Sequence, residues 1–226
     1  MYACMRELTG DEFVRLILQG ERNFLGIKLE EEFDISSHLD FKHLQDYMMK
    51  ERYNFFDNPI VLRSASLRGL KAKETYLFSV NAANADLEGA CLVGADLRFA
   101  NLKGANLKYA NLRKVRLSDA YLQEATVAGA NLIGADFHHA HLDGIRNLEK
   151  SKGIEHGIYC KTRVSAREQK IIERAMTKIN PFVKVKHQTD YDWLDDYSHS
   201  TGNFVKVPME SEVQETISDK IEPALK

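Results

Sequence analysis

Residues 85–112 read ADLEG ACLVG ADLRF ANLKG ANLKY ANL, a pattern of five residues that repeats without interruption. The pattern extends in both directions and covers 18 units between Asn58 and Asn147. A large apolar residue occupies one phase in 15 of the 18 units, and Ala stands two residues earlier in 12 of them. The repeated unit is Ala-Asn/Asp-Leu-x-x, and this unit decides the fold of that part of the chain.

Neither a straight helix nor a flat strand suits a period of five. Five residues advance about 500° around an α-helix, so successive leucines would spiral around every side. Side chains in a strand alternate with period two, so an odd repeat would send successive leucines to opposite faces. Both difficulties disappear if the chain turns a corner in every unit. Four corners then close a square coil of roughly 20 residues, with neighbouring coils about 4.8 Å apart.

The phase of the repeat divides the chain into an apolar inside and a polar outside. Asn or Asp often precedes the Leu, and Gly often follows it by two residues; both residue types suit tight turns. Ala is expected inside because only a small side chain lets four walls approach each other. The predicted inward core includes Ala85, Leu87, Ala95, Leu97, Ala105, Leu107, Ala130, Leu132 and Phe137.

These units resemble the pentapeptide-repeat family, and the resemblance covers residues 58–147, about 40% of the chain. It implies an all-β solenoid, a right-handed quadrilateral β-helix, here with short flanking α-helices. The best-understood members of that family protect or inhibit DNA gyrase. They present a rod with the shape and charge of duplex DNA, often as dimers joined at their C-terminal ends.

The sequence before the repeats predicts a capped helix and an irregular coil. Thr9 and Glu12 have the spacing of a capping box, so residues 1–22 are expected to form an N-terminal capping helix. Inward pairs at six-residue intervals in residues 23–57 predict an irregular first coil with an insertion. These pairs are Ile27/Leu29, Phe33/Ile35 and Leu39/Phe41.

The sequence after the regular repeats, residues 58–147, predicts a second helix. Ser165 and Glu168 form another capping box, and apolar residues follow at helical spacing, so residues 148–187 are expected to end the rod in a capping helix. Such a helix covers the open end of a solenoid, where unpaired strand edges would otherwise invite association. Dimerisation through this helix, giving a homodimer, is the functional alternative.

The last segment, residues 188–226, is an acidic tail. It carries nine carboxylates against three lysines, whereas residues 148–187 carry ten basic residues against four acidic ones. We expect the tail to pack near the basic helix, with Trp193, Phe204 and Val205 as anchors. A tail that is free to bind a basic partner is the alternative.

One wall of the predicted coil resembles an interaction surface. Positions 20 residues apart stack into columns, and the wall centred on Leu77, Leu97, Leu117 and Phe137 carries outward aromatic and Arg residues, which are enriched in binding hot spots. We expect Phe78 and Phe99 to be exposed unless flanking segments cover them. The candidate interaction wall consists of Tyr76, Phe78, Arg98, Phe99, Arg116 and His138.

Motifs that carry chemistry are absent from the sequence. There is no Gly-x-Gly-x-x-Gly, phosphate-binding loop, nucleophile elbow or His-Glu-x-x-His. His138, His139 and His141 are close in sequence, but the repeat phase points them outward on two walls. We expect surface histidines, with a metal site as the alternative. The chain is therefore expected to be non-enzymatic, with no catalytic residues, cofactor or bound metal.

Composition narrows the class of partner. The 226 residues carry 31 basic and 33 acidic side chains, so the net charge of −2 gives no reason to expect binding to nucleic acid or to a membrane. Three widely spaced cysteines and the lack of a signal sequence indicate a cytoplasmic protein. The leading function is a rigid scaffold for an unidentified protein partner.

The alternative function is a DNA-mimicking regulator of type II topoisomerase, DNA gyrase. Residues 58–147 carry eleven basic and eight acidic side chains, a net charge of +3. A DNA mimic presents carboxylates in place of phosphates. The charge of the repeats therefore argues against this alternative.

Overall fold

A computed structural model describes residues 5–179, 186–187 and 203–206 of the chain. Within these residues the helices are α1 (Gly10–Leu18), α2 (Phe41–Lys50), α3 (Asn54–Asp57) and α4 (Ala166–Ile179). The strands are β1 (Glu7–Leu8), β2 (Lys28–Leu29), β3 (Thr162–Val164), β4 (Lys186–His187) and β5 (Asn203–Lys206). Single 3-10 turns form at Ile35–Ser37, Leu148–Lys150 and Ile154–His156.

The repeats form a β-helical solenoid. Between residues 61 and 146, a parallel backbone pair joins residues 20 positions apart at every fifth residue, so four units make one coil. Each coil bonds to the coil on either side. The backbone N–H of Asn101 donates to the carbonyl of Val80 at 2.9 Å, and the N–H of Leu102 donates to the carbonyl of Tyr121 at 2.8 Å.

The interior of the solenoid is apolar. The residues predicted to point inward are all buried, namely Ala85, Leu87, Ala95, Leu97, Ala105, Leu107, Ala130, Leu132 and Phe137. Ala72 and Ala82, which replace the usual Leu, are buried as well. Small residues therefore alternate with large ones along every wall, and this alternation lets facing walls interdigitate.

The turn of each unit has a fixed backbone conformation. Two residues after the inward position, φ is positive in 17 consecutive units from Ser64 to Gly144. Seven of these positions hold Gly and ten hold other residues. A left-handed conformation costs a non-glycine residue about 1–2 kcal/mol. The hydrogen bonds between coils therefore impose the turn even where the local sequence opposes it.

Gly104→Ala is expected to destabilise the protein more than Gly89→Ala. Both glycines have positive φ, 68° and 72°, so both substitutions carry the same left-handed strain. A Cβ at position 104 would also collide with Oδ1 of Asn84, whereas a Cβ at position 89 would meet nothing within 4 Å. We expect urea unfolding to separate the two variants by about 1 kcal/mol. Adding Asn84→Gly to Gly104→Ala should remove the difference, and equal stabilities of the two single variants would contradict the argument.

Helix α1 packs against the N-terminal end of the solenoid. The predicted capping box is confirmed, because Thr9 Oγ1 accepts a hydrogen bond from the backbone N–H of Glu12 and the Glu12 carboxylate accepts one from the N–H of Thr9. The buried ring of Phe13 lies 4.9 Å from that of Phe24 in the first coil. Strand β1 pairs in parallel with β2 and extends the ladder of that coil by one strand.

The first coil has three paired sides. Its bridges to the next coil are Asn23↔Val61, Lys28↔Ser66 and Asp34↔Lys71. An inserted pair of helices, α2 and α3, occupies the fourth side. There the backbone N–H of Tyr76 donates to the side-chain oxygen of Gln45 on α2 at 2.8 Å instead of to a carbonyl of a preceding coil.

The inward pairs predicted for this coil hold only in part. Ile27, Leu29 and Ile35 are buried. Leu39, which was also predicted to point inward, is fully exposed. That prediction is wrong because the chain leaves the coil at this point and begins α2 at Phe41.

The C-terminal coils are longer than those of the repeats. Their bridges join residues 21 or 22 positions apart, as in Asn131↔Lys152 and His141↔Arg163. The extra residues bring the ring of Tyr159 into the core, where it is fully buried and stacks on Phe137 at 5.3 Å. Its hydroxyl donates to the carbonyl of Ile154 at 2.8 Å, so the buried polar group is satisfied.

Helix α4 lies across this end of the solenoid. The backbone N–H of Ser165 donates to the Glu168 carboxylate at 3.1 Å, and the Ser165 hydroxyl accepts from the N–H of Arg167 at 3.3 Å. These bonds give the helix the N-terminal cap that its sequence predicts. Ile172 and Met176 are buried against the core.

Part of the tail adds strands to the last coil. Strand β5 pairs antiparallel with β3 on one side and with β4 on the other. Pairing of this kind covers an edge that would otherwise be open. Phe204 and Val205 lie in β5, whereas Trp193 lies outside the described residues. The division of the chain into five segments stays a prediction.

Candidate interaction surface

The six residues of the candidate wall differ in exposure. Tyr76 and Arg116 each bridge to Asp96 in one column of that wall. Phe99 is 37% exposed, but Phe78 is only 8% exposed. The expectation that Phe78 faces solvent is wrong, because Phe56 of α3 packs on its ring at 5.2 Å.

Four rings form an aromatic cluster, which consists of Phe56, Tyr76, Phe78 and Phe99. Phe99 lies 5.2 Å from both Phe56 and Phe78, and Tyr76 stacks on Phe78 at 5.7 Å. Burial raises the pKa of the Tyr76 hydroxyl, and the nearby Asp96 adds to this shift. The cluster joins the insertion to the solenoid and leaves Phe56 50% exposed beside Phe99.

Phe56 is the residue of this surface that the sequence argument missed. Phe55 and Phe56 stand together in a short helix, and Phe55 is buried. Neighbouring residues on a helix point about 100° apart, so a buried Phe55 turns Phe56 toward a different surface. That spacing is a signal in the sequence, but it does not specify which wall receives the second ring.

The charged residues of the wall hold one another. Arg98 donates from Nε and Nη2 to the two carboxylate oxygens of the buried Asp96, at 2.8 and 2.7 Å, and Arg116 adds a third bond at 3.2 Å. The hydrogen bonds with Asp96 raise the pKa of Arg98. The guanidinium of Arg98 also lies 5.6 Å from the centre of the Phe78 ring. Arg98 is thus already paired within the wall.

The histidines divide between two walls. His138 and His139 lie together with ring centres 4.4 Å apart, whereas His141 stacks on Tyr121 at 4.8 Å on the adjoining wall. Burial and, after it, the neighbouring His138 lower the pKa of His139. The carboxylate of Asp136 accepts from the backbone N–H of His138 at 3.0 Å. Among the described residues, no group of three or more His, Cys, Asp or Glu could hold a metal ion.

A shallow groove continues the aromatic cluster onto the adjoining wall. It has a volume of about 360 Å³ and runs between Phe99 and Tyr121, whose side chain is 45% exposed. Oε1 of Gln123 is buried there and has no hydrogen-bond partner within the described part of the chain. The other residues along the groove are Pro59, Ser79, Asn81, Asn101 and Lys103.

We call Phe56, Phe99, Tyr121 and the groove between them the aromatic surface. Exposed rings next to unpaired amides suit contacts with another protein, because such interfaces combine aromatic anchors with a polar rim. In residues 5–179 and the two short strands of the tail, no helix has the length and apolar character needed to cross a membrane.

Comparison with known proteins identifies the repeats. Residues 83–119 and 116–146 match the family described as pentapeptide repeats, in eight copies. The chain is similar to a solved pentapeptide repeat protein from the Arabidopsis thaliana thylakoid lumen, with 21% identity over 50% of this chain and 74% of that one, at a TM-score of 0.40.

Two cyanobacterial structures are also similar. Rfr23, a pentapeptide repeat protein from Cyanothece 51142, is 31% identical over 42% of this chain and 64% of its own length, at a TM-score of 0.29. HetL from Nostoc sp. strain PCC 7120, a pentapeptide repeat protein involved in heterocyst differentiation regulation, is 27% identical over 43% of this chain and 59% of its own, at a TM-score of 0.14. No curated protein sequence matches the chain significantly.

Proposed function

The repeated segment of the chain consists of pentapeptide repeats, and we propose that the protein is a non-enzymatic, rigid scaffold that binds a protein partner. The aromatic surface carries this proposal, because Phe56, Phe99 and Tyr121 present three exposed rings on one face. The partner is an unidentified protein, bound without a cofactor, and neither a membrane nor a nucleic acid is its expected partner. We place the interaction in the cytoplasm, in keeping with the free thiols of Cys91 and Cys160.

The backbone under these rings supports the proposal. Phe99 occupies a left-handed turn position with φ of 61°, and its N–H donates to the carbonyl of Ser118 at 3.0 Å. Phe56 is fixed by contact with Phe78 and Phe99. Rings that are already ordered lose little conformational entropy on binding, so a rigid surface converts more of its contact energy into affinity.

A triple variant, Phe56→Ser/Phe99→Ser/Tyr121→Ser, is expected to lose the partner. The three substitutions remove exposed rings and leave the buried Phe78 and the Asp96–Arg98 pair in place. We expect tagged wild-type protein to retain a partner from cell extract, identified by mass spectrometry. The purified partner should bind the triple variant at least roughly tenfold more weakly, since aromatic anchors dominate the energy of such interfaces.

Tyr109→Ser is the matched control. Tyr109 is 68% exposed but lies on a different wall, so its loss should leave partner binding unchanged. Unfolding curves of all three proteins should coincide within about 0.5 kcal/mol, because exposed side chains contribute little to stability. Equal affinity of the purified partner for wild type and triple variant would overturn the proposal.

DNA mimicry of the kind that would regulate gyrase is not what the repeats favour. The net charge of residues 58–147 is +3. Asp96, the most buried carboxylate of the candidate wall, is neutralised by Arg98 and Arg116. A surface that replaces phosphates needs unpaired carboxylates.

Two structural details belong to the same proposal. We infer that the solenoid is a right-handed quadrilateral, and the four units per coil support this shape. Homodimerisation through α4 also stays a prediction. An experimentally determined structure tests the first detail, and the mass of the particle in solution tests the second.

A further inference from the structure

A second groove lies at the C-terminal end of the solenoid, remote in sequence from the aromatic surface. It runs between α4 and the two 3-10 turns that precede it and has a volume of about 350 Å³. Ile154, Ile171 and Ala175 supply apolar side chains, and Ile171 and Ala175 are only partly buried. An apolar groove of this kind is a site where an amphipathic helix docks.

The helix beside this groove has a basic face. Lys170, Arg174 and Lys178 are four residues apart, so they share one side of α4, and all three are exposed. Arg167 pairs with Glu149 at 3.7 Å. Among the described residues, no carboxylate forms a salt bridge with Lys170, Arg174 or Lys178.

The chain beyond β5 has the complementary pattern. Residues 207–226 carry five carboxylates against two lysines. Apolar residues recur every four positions between two prolines, Pro208 and Pro223, which predicts an amphipathic helix over residues 209–222. The apolar stripe consists of Met209, Val213, Ile217 and Ile221.

We propose that residues 209–222 dock as a helix in the groove beside α4. The connection is short, because β5 ends at Lys206, pairs with β3 and contacts α4. A helix of 14 residues is about 21 Å long, the same length as α4. On such a helix Glu212 and Asp219 flank one side of the apolar stripe, where they meet the basic face of α4.

Hydrogen exchange of the full chain tests this docking. A chain that ends at Lys206 keeps β5 but loses the proposed helix. We expect its amides in residues 171–178 to exchange about tenfold faster than those of the full chain, since an uncovered helix opens more often. A synthetic peptide of residues 207–226 should restore the protection when added in excess.

Point variants separate docking from a loss of folding. Ile217→Asp/Ile221→Asp in the full chain should expose α4 as the truncation does. Ser211→Asp/Ser218→Asp adds the same charge on the opposite side of the predicted helix and should leave the protection intact. Lys170→Glu/Arg174→Glu/Lys178→Glu should weaken binding of the peptide about tenfold at low salt, because opposite charges attract less when one is reversed.

Two results would overturn the proposal. Unchanged exchange in both the truncated chain and Ile217→Asp/Ile221→Asp would show that the tail does not cover the groove. Protection that rises with protein concentration, together with a dimer mass in light scattering, would assign the groove to a second copy of the chain. Neither result bears on the aromatic surface, which is tested with its own partner.

Discussion

Ala105→Leu should lower the free energy of unfolding by about 3 kcal/mol, because overpacking a rigid core is costly. Ala105 is fully buried, and its backbone is held on two sides: its N–H donates to the carbonyl of Leu102 at 3.0 Å, and its carbonyl accepts from Thr126 at 2.9 Å. The wall cannot move outward without breaking the ladder to the next coil. Three additional carbon atoms at this position therefore meet a backbone that is fixed.

Lys103→Ala is the control for this prediction. Lys103 lies on the outside of the same coil, and its ammonium group makes only a long, exposed ion pair of 3.8 Å with Glu124. Its loss should change the free energy of unfolding by no more than about 0.5 kcal/mol. Urea unfolding followed by circular dichroism measures both variants. Equal effects would mean that the inward and outward phases are wrongly assigned.

Tyr159→Ala should cost about 4 kcal/mol, the range typical of large aromatic side chains removed from a core. Tyr159 is fully buried, stacks on Phe137 and donates to the carbonyl of Ile154, so its loss leaves both a cavity and an unpaired carbonyl. Ile158→Ala, at a half-exposed neighbouring position, should change stability far less. Similar unfolding midpoints for the two variants would show that the Tyr159 ring does not hold this end of the solenoid together.

Tyr159→Phe separates the hydroxyl from the ring. The variant loses one hydrogen bond and should cost about 1 kcal/mol. Burial, aided by Glu155, raises the pKa of the Tyr159 hydroxyl well above its ordinary value. Above about pH 10 the unfolded chain therefore releases this proton while the folded chain keeps it, and the wild type loses stability. The difference between wild type and Tyr159→Phe should shrink as the pH rises through that range.

The regular coils could be predicted because their information is local. A period of five excludes a straight helix and a flat strand, and the inward positions of Ala105 and Leu107 follow from the phase of the repeat alone. The capping box at Thr9 and Glu12 is equally local. Each of these predictions needs only residues that are near one another in sequence.

The irregular parts could not be predicted, because they depend on distant contacts. Gln45 replaces a backbone acceptor for Tyr76, and no spacing in the sequence pairs these two residues. Phe78 is buried because α3 returns to the wall, 22 residues earlier in the chain. The same contact brings Phe56 into the surface. Sequence periodicity therefore located the wall but not the residues that face solvent on it.

The bridge between residues 20 positions apart also restricts how such a chain can change length during evolution. A duplication of 20 residues within the repeats adds one coil and keeps every outward side chain on its wall. Loss of a single five-residue unit would instead rotate all later units by one wall and would break up the aromatic surface, since Phe99 and Tyr121 come from neighbouring coils. The insertion of α2 and α3 escapes this restriction, because it replaces the last side of the first coil and leaves every following bridge in register.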